Sequence, residues 1–358
     1  AVSIIPALDP VGVPGWPARP VPDPGWHNAF TAWERFDALW FLRIADGGYG
    51  LGDGSAAFFP LYPLLTRAAS WLLGGRPFAA ATLISNGAFL AALVVTYLLT
   101  ARELGERAAR TTIVLLCFFP TSYFFLMPYS ESVFLLFAVT AFWGARRERW
   151  VLAGVAAGLA ALTRSIGIIL LPALAVEAVT RRAEGRRPAW PALLAAAGAG
   201  VGTLAYLGWW QLRTGDWLTP LTRQQNWQRE FSWPWATVWD GTRAAFRYVG
   251  NVNGGYWLID WLVVMPVLGL AVYAIGRLPP SFVVYLWAGL LIPIVFVFPD
   301  RPFMSMPRFV LTLFPAFWAT AVLVDRAARP IPRWALVGAG AAGLGMLSVL
   351  TVNWYYIF

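Results

Sequence analysis

The chain has 358 residues, 59% of them hydrophobic, 16% aromatic and only 13% charged, with a mean hydropathy of +0.60 and a formal net charge of +9. Soluble chains carry about 25% charged residues, so a water-soluble enzyme, a disordered chain and a coiled coil are excluded. A polytopic, all-α membrane protein remains.

All 27 basic residues are arginine, which reflects coding bias and membrane topology rather than nucleic-acid binding. The single cysteine, Cys117, and single histidine, His27, exclude a disulfide framework and any multi-histidine metal or haem site.

One transmembrane domain is expected over 1–358, with residues 1–77 forming an outer N-terminal region with juxtamembrane helices. Residues 78–358 supply about ten membrane helices and an outer loop at 212–255. Residues 1–28 are proline-rich and cannot span, and an anchor before Ala1 is expected to have been removed or omitted. Trp33–Tyr49 then reads as a helix lying at the membrane surface, closed by Gly47-Gly48. At about 100° per residue, Asp37 falls mid-arc among Trp33, Phe36, Trp40, Phe41 and Ile44, with Arg43 and Glu34 at the edges. Either the aromatic neighbours anchor the helix and Asp37 faces a pocket, or Asp37 simply pairs with a nearby arginine. Phe58–Pro63 opens a second juxtamembrane segment.

The expected spans are Phe78–Thr100, Thr111–Met127, Glu131–Ala145, Trp150–Leu162, Ser165–Val179, Ala189–Gln211, Tyr256–Gly276, Phe282–Pro299, Phe309–Val324 and Trp334–Trp354. Trp150–Val179 could instead be one long helix, but that would bury Arg164 mid-bilayer, so a hairpin turning at Thr163–Ser165 is preferred. The short arginine-rich connections then fall at every second turn. On this assignment the inner side holds 14 Arg against 6 Asp/Glu and the outer side 13 against 12. This orients the chain, with its long polar connections outside.

Polar residues retained against the membrane's cost mark function. Tyr129-Ser130-Glu131 either starts a helix, with Ser130 capping and Glu131 at the positive end, or borders a pocket. Arg164 either snorkels or clamps an anion. Arg301 and Arg308 are similar candidates, because guanidinium forks match phosphate oxygens. The stretch from Gln224 to Glu230, with Gln225, Trp227 and Arg229, suits a polyhydroxylated ligand or is a solvated loop. The outer acids Asp37, Asp46 and Glu131 leave a divalent metal open, although no ligand spacing demands one. Nucleotide-loop, zinc-hydrolase and serine-hydrolase motifs are missing, and no internal repeat supports a transporter.

Trp33…Phe36-Asp37-Ala-Leu-Trp40-Phe-Leu-Arg43…Gly48-Tyr49, Phe58-Phe-Pro-Leu-Tyr-Pro63, Ser85-Asn86, Phe119-Pro-Thr-Ser-Tyr…Pro128-Tyr-Ser-Glu-Ser132, Gln225…Trp227…Arg229…Pro234-Trp235 and Ser305-Met-Pro-Arg308-Phe…Phe314-Pro315 together resemble the bacterial PIG-V-like mannosyltransferases. The resemblance implies a GT-C transmembrane bundle in a bacterial plasma membrane with a non-cytoplasmic active site. It also implies inverting transfer from a polyprenyl-phosphate sugar, typically mannose, to a glycolipid or glycan acceptor. The family's essential first-loop acid corresponds to Asp37, the expected general base. Arg164, Arg308 and Arg301 are expected at the donor phosphate. Arg43, Asp46, Tyr129, Ser130, Glu131, Gln225, Trp227 and Arg229 are expected around sugar or acceptor. The rival readings are a polyprenyl-phosphate pentose (arabinose) transferase and a flippase or transporter of lipid-linked sugars.

Overall fold

The computed structural model describes residues 25, 28–183, 189–225, 229–249, 255–326 and 331–355. Helices α1 (Asn28–Thr31), α2 (Asp37–Gly47), α3 (Leu61–Leu72), α4 (Pro77–Leu104) and α5 (Glu106–Cys117) open the chain. They are followed by α6 (Glu131–Arg146), α7 (Trp150–Thr163), α8 (Leu170–Ala183), α9 (Ala189–Thr214), α10 (Thr219–Gln225) and α11 (Pro234–Arg247). The chain continues through α12 (Gly255–Ala274), α13 (Pro280–Val295), α14 (Met306–Val310), α15 (Phe314–Asp325) and α16 (Ile331–Val352). Two short strands, β1 (Glu230–Phe231) and β2 (Phe296–Val297), pair antiparallel with Glu230 opposite Val297.

Helices α4, α9, α12 and α16 are long and apolar enough to cross a membrane, while α7, α8, α13 and α15 are shorter apolar helices. The expected hairpin after α7 is present. Arg164 is extended (φ −150°, ψ 146°) between α7 and a 3-10 turn over Ser165–Ile169.

Three expected spans are broken. In Thr111–Met127, α5 stops at Cys117, and a 3-10 turn occupies Ser122–Phe125. Pro120 between them lacks an N–H and disfavours helix at Phe119. In Phe309–Val324, the chain helps form α14 and then restarts as α15 with Pro315 in its first turn. Phe282–Pro299 leaves the helix at Val295 and continues as β2.

Close packing fixes the helix that delivers Arg164. Gly154 and Gly158 on α7 face Gly198 and Gly202 on α9. A Cβ on Gly198 would lie 2.2 Å from the Gly154 carbonyl oxygen, and one on Gly202 would lie 2.3 Å from that of Gly158. The two backbones are in contact, as small residues permit where apolar burial alone does not drive association.

Helix α6 carries charge at both ends. Its last residue, Arg146, bonds Glu103 of α4 through Nη2 (2.6 Å) and Glu177 of α8 through Nη1 (3.0 Å), and Ser281 of α13 donates to Glu177 (2.7 Å). Its first residue, Glu131, belongs to a second charged layer. At 1.5 Å per residue the two layers are about 22 Å apart. Between them lies an aromatic core in which Phe142, Phe282 and Trp318 pack in sequence, with centroids 4.6 and 4.7 Å apart.

Candidate active site

Asp37 is the first residue of α2, whereas the sequence pattern starts the helix at Trp33. Trp33–Phe36 form a turn, and Phe36 adopts φ 52°, ψ −120°, a conformation that L side chains rarely take. Tyr129 holds that turn. Its hydroxyl accepts from the Asp37 amide and donates to the Arg35 carbonyl, both at 3.2 Å. Asp37 therefore sits at a helix N-terminus, where partial positive charge favours a carboxylate. The Tyr129 loop is itself braced from α4, by Ser85 Oγ on the Tyr129 carbonyl (3.0 Å) and Asn86 Nδ2 on the Leu126 carbonyl (3.1 Å).

Four charges then alternate. Arg308 Nη1 bonds Asp37 Oδ2 at 2.5 Å, and Arg308 Nε bonds Glu131 Oε1. Arg164 Nη1 bonds the same Glu131 oxygen at 2.5 Å and Ser130 Oγ at 3.1 Å. Arg308 also lies over the Tyr129 ring, 4.8 Å from its centroid. Its carrier, α14, follows Ser305 in the left-handed region (φ 67°). Two of the four described non-glycine residues with positive φ, Phe36 and Ser305, thus precede the helices that deliver the bonded pair Asp37 and Arg308, a kind of strain that is found at functional sites.

The Asp37 side chain is 17% exposed and Glu131 fully buried. Burial opposes the charge on Arg308, yet Glu131 and then Asp37 outweigh it and hold the guanidinium well above its usual value. Burial also lowers Arg164, against the pull of Glu131. Both remain cations at neutral pH.

A cavity of about 220 Å³ opens on this cluster. Asp37, Ser130, Arg164, Arg229 and Arg308 provide its polar wall, and Phe41, Phe58, Phe296 and Phe309 are among its apolar groups. Arg229, just before β1, donates to the Phe296 carbonyl at 3.0 Å and lies over Phe309, as Arg164 does (5.7 and 5.6 Å).

The structure thus brings together Asp37, Ser130, Glu131, Arg164, Arg229 and Arg308. Tyr129 adjoins them but is buried with its hydroxyl committed to the backbone, so it supports Asp37 rather than lining the cavity. Arg301 corrects its expectation. It is buried and forked onto Asp260 (2.6 and 2.9 Å), outside the cavity wall. Arg43 pairs with Asp53 at 2.5 Å, and Asp46 is exposed one helix-length from Asp37. Nine residues of helical rise separate Asp46 from Asp37 by about 13 Å, so Asp37, Asp46 and Glu131 do not converge. Among the described residues no group of three or more His, Cys, Asp or Glu is placed to hold a metal. Trp227 and the Gln225 side chain lie outside the described residues.

The aromatic residues of α2 pack into protein rather than anchoring it in lipid. Trp40, Phe41, Leu42 and Ile44 are buried against Phe58, Tyr62 and Val133, because α3 and α4 cover it. Sequence reasoning missed Ser165, Ser305 and Phe309 in the cavity wall. Ser305 before Met-Pro carried a usable signal, a cap residue followed by proline in a first turn.

Residues 21–182 match the family described as Mannosyltransferase (PIG-V). No curated protein matches the chain. Among solved structures, apo ArnT from Cupriavidus metallidurans superposes with a TM-score of 0.51 at 16% identity, covering 92% of this chain and 71% of that one. ArnT from the same organism bound to undecaprenyl phosphate gives 0.51 at 19% identity, over 88% of this chain and 58% of that one. The resemblance to the PIG-V mannosyltransferases, the enzyme class and the all-α polytopic membrane fold expected from the sequence are borne out, the fold being like that of the ArnT structures.

Proposed function

We propose that this protein transfers a sugar, mannose by the family match, from a polyprenyl-phosphate donor to an acceptor hydroxyl on the non-cytoplasmic face of the membrane. The observation that carries the reading is the Asp37–Arg308 pair opening on a cavity that also holds Arg164 and Arg229. The matched family is one of mannosyltransferases, and a solved relative in fold is described as bound to undecaprenyl phosphate. The non-cytoplasmic placement is supported by the arginine-rich connections, which fall at the opposite ends of the helices from the cavity.

In this reading the acceptor oxygen attacks the anomeric carbon from the face opposite the phosphate, and the sugar–phosphate bond breaks. The acceptor proton passes to Asp37, whose Oδ2 is held by Arg308 while Oδ1 takes no hydrogen bond among the described residues. A hydroxyl is far less acidic than a carboxyl group, so proton transfer accompanies bond formation. Arg164 faces the charge growing on the departing phosphate, electrostatic stabilisation worth about 3 kcal/mol for a well-placed donor, while Arg229 binds the donor phosphate equally before and during transfer. Glu131 bridges Arg164 and Arg308 through one oxygen and keeps the two guanidinium groups aligned. A lipid-linked glycan or glycolipid is the proposed acceptor.

The test is incubation of purified protein with radiolabelled polyprenyl-phosphate mannose and a total lipid extract, followed by identification of the labelled product. A new mannosyl glycosidic bond is expected. Label incorporated only from a pentose donor would move the sugar assignment. Tracer crossing proteoliposomes without a new bond would overturn the reading in favour of a flippase.

A further inference from the structure

Asp260 is a carboxylate in an otherwise apolar helix. It lies in the second turn of α12, completely buried, and the only other charged group on its hydrogen-bond path among the described residues is Arg301. A buried ion pair is a poor stabiliser compared with apolar residues of the same volume, so its geometry is what asks for explanation.

The pair holds one end of the turn that leads to Arg308. Arg301 also lies over Tyr256 and Trp257 of α12 (5.5 and 5.7 Å), and Trp257 Nε1 donates to the Asp300 carbonyl at 2.9 Å. Two residues on, the buried Phe303 ring fills the place a side chain would take at Gly241 of α11, where a Cβ would meet it at 2.5 Å. From Arg301 the backbone continues as hydrogen-bonded turns without a loose step. Met304 N bonds the Arg301 carbonyl (2.9 Å), Met306 N that of Phe303 (3.1 Å), and Arg308 N that of Ser305 (3.1 Å). Ser305, strained at φ 67°, is the last link before α14. Strain of this kind persists only where the surroundings over-determine it.

We propose that Asp260 is a positioning residue: through Arg301 it fixes the 298–305 turn and so sets where Arg308 presents its guanidinium to Asp37. The proposal rests on the reading of Arg308 as part of the transfer site. A displacement of about 1 Å in such a group costs about 100-fold in rate.

Asp260→Asn keeps the volume and removes the charge. It is expected to lower kcat for sugar transfer by about 10- to 100-fold with the donor KM little changed, and to speed amide exchange across 302–309 but not across α2. In an Arg308→Gln background the same change should add no further loss. Should Asp260→Asn not fold, the joint replacement Asp260→Leu with Arg301→Met removes both charges and carries the same expectations. Unchanged kcat and exchange in a folded variant, or losses that multiply in the Arg308→Gln background, would overturn the proposal. If wild-type protein transfers no sugar from any polyprenyl-phosphate donor, the functional reading fails separately. Exchange at 302–309 then still decides whether the Asp260–Arg301 pair sets that turn.

Discussion

Asp37 and Arg308 stand 271 positions apart in the chain and meet at 2.5 Å on the wall of one cavity. The pair is bonded but not sealed, since 17% of the Asp37 side chain stays exposed. Asp37→Asn preserves shape and removes the base. Because Arg308 keeps Glu131, the variant should fold with little change in Tm. Transfer from polyprenyl-phosphate mannose should fall by about 10²- to 10⁴-fold, the usual contribution of a general base. Near-normal turnover would remove Asp37 from that role.

Glu131 should behave in the opposite manner. It is fully buried and bonds both Arg164 and Arg308 through one oxygen. Glu131→Gln leaves two guanidinium groups facing each other in a low-dielectric setting without their shared anion. Breaking a buried pair costs about 3–5 kcal/mol, so a large drop in Tm in detergent is expected, with lost transfer following from it. An unchanged Tm would show that water or another acid already screens the two arginines.

How far the sequence carried this site depends on the range of the forces involved. Asp37 stood out because an acid among Trp33, Phe36, Trp40 and Phe41 is costly wherever it sits, and Arg164 because only a hairpin spares it from the bilayer. The start of α2 was not readable, since Phe36 takes its positive φ under a hydroxyl 92 positions from Asp37. Periodicity instead ran the helix back to Trp33. Arg301 and Arg308 looked alike as outer-loop arginines seven residues apart. Of the two, Arg308 lines the cavity while Arg301 is forked onto Asp260, a residue that reads only as one polar position in an apolar span.

Tyr129 should report on both geometry and pH. Tyr129→Phe removes the two bonds that hold the Arg35–Asp37 turn, a loss of about 1 kcal/mol each, and should lower kcat more than it raises KM. Burial, with Asp37 adding to it, raises the Tyr129 phenol well above its usual 10. Above pH 10 the unfolded phenol therefore gives up its proton while the folded one keeps it. The stability from this group is full below pH 10 and drains away as pH climbs toward the raised value. Thermal melts across that range should fall less steeply for Tyr129→Phe than for wild type.

Gly198→Ala tests whether backbone contact between α7 and α9 is required. Its one added carbon would sit 2.2 Å from the Gly154 carbonyl oxygen, so the helices must separate. Overpacking costs about 1–3 kcal/mol, and the lower Tm should come with weaker transfer because Arg164 directly follows α7. Gly208→Ala, where the added carbon meets nothing within 4 Å, is the control and should match wild type.

Arg229 separates donor binding from scaffold. It reaches the cavity from the residue before β1, half-buried, and its bond to the Phe296 carbonyl can be replaced by an amide. If its task is to meet the donor phosphate, Arg229→Gln should raise the donor KM by about 10- to 100-fold, the range of a charge-assisted hydrogen bond worth about 1.5–3 kcal/mol. Tm and kcat at saturating donor should stay near wild type, because the glutamine amide can keep the bond to the Phe296 carbonyl. If its task is instead to hold β1 against β2, the same substitution should lower Tm and kcat while leaving KM alone. Steady-state kinetics over donor concentration, run beside a thermal melt, tell the two apart.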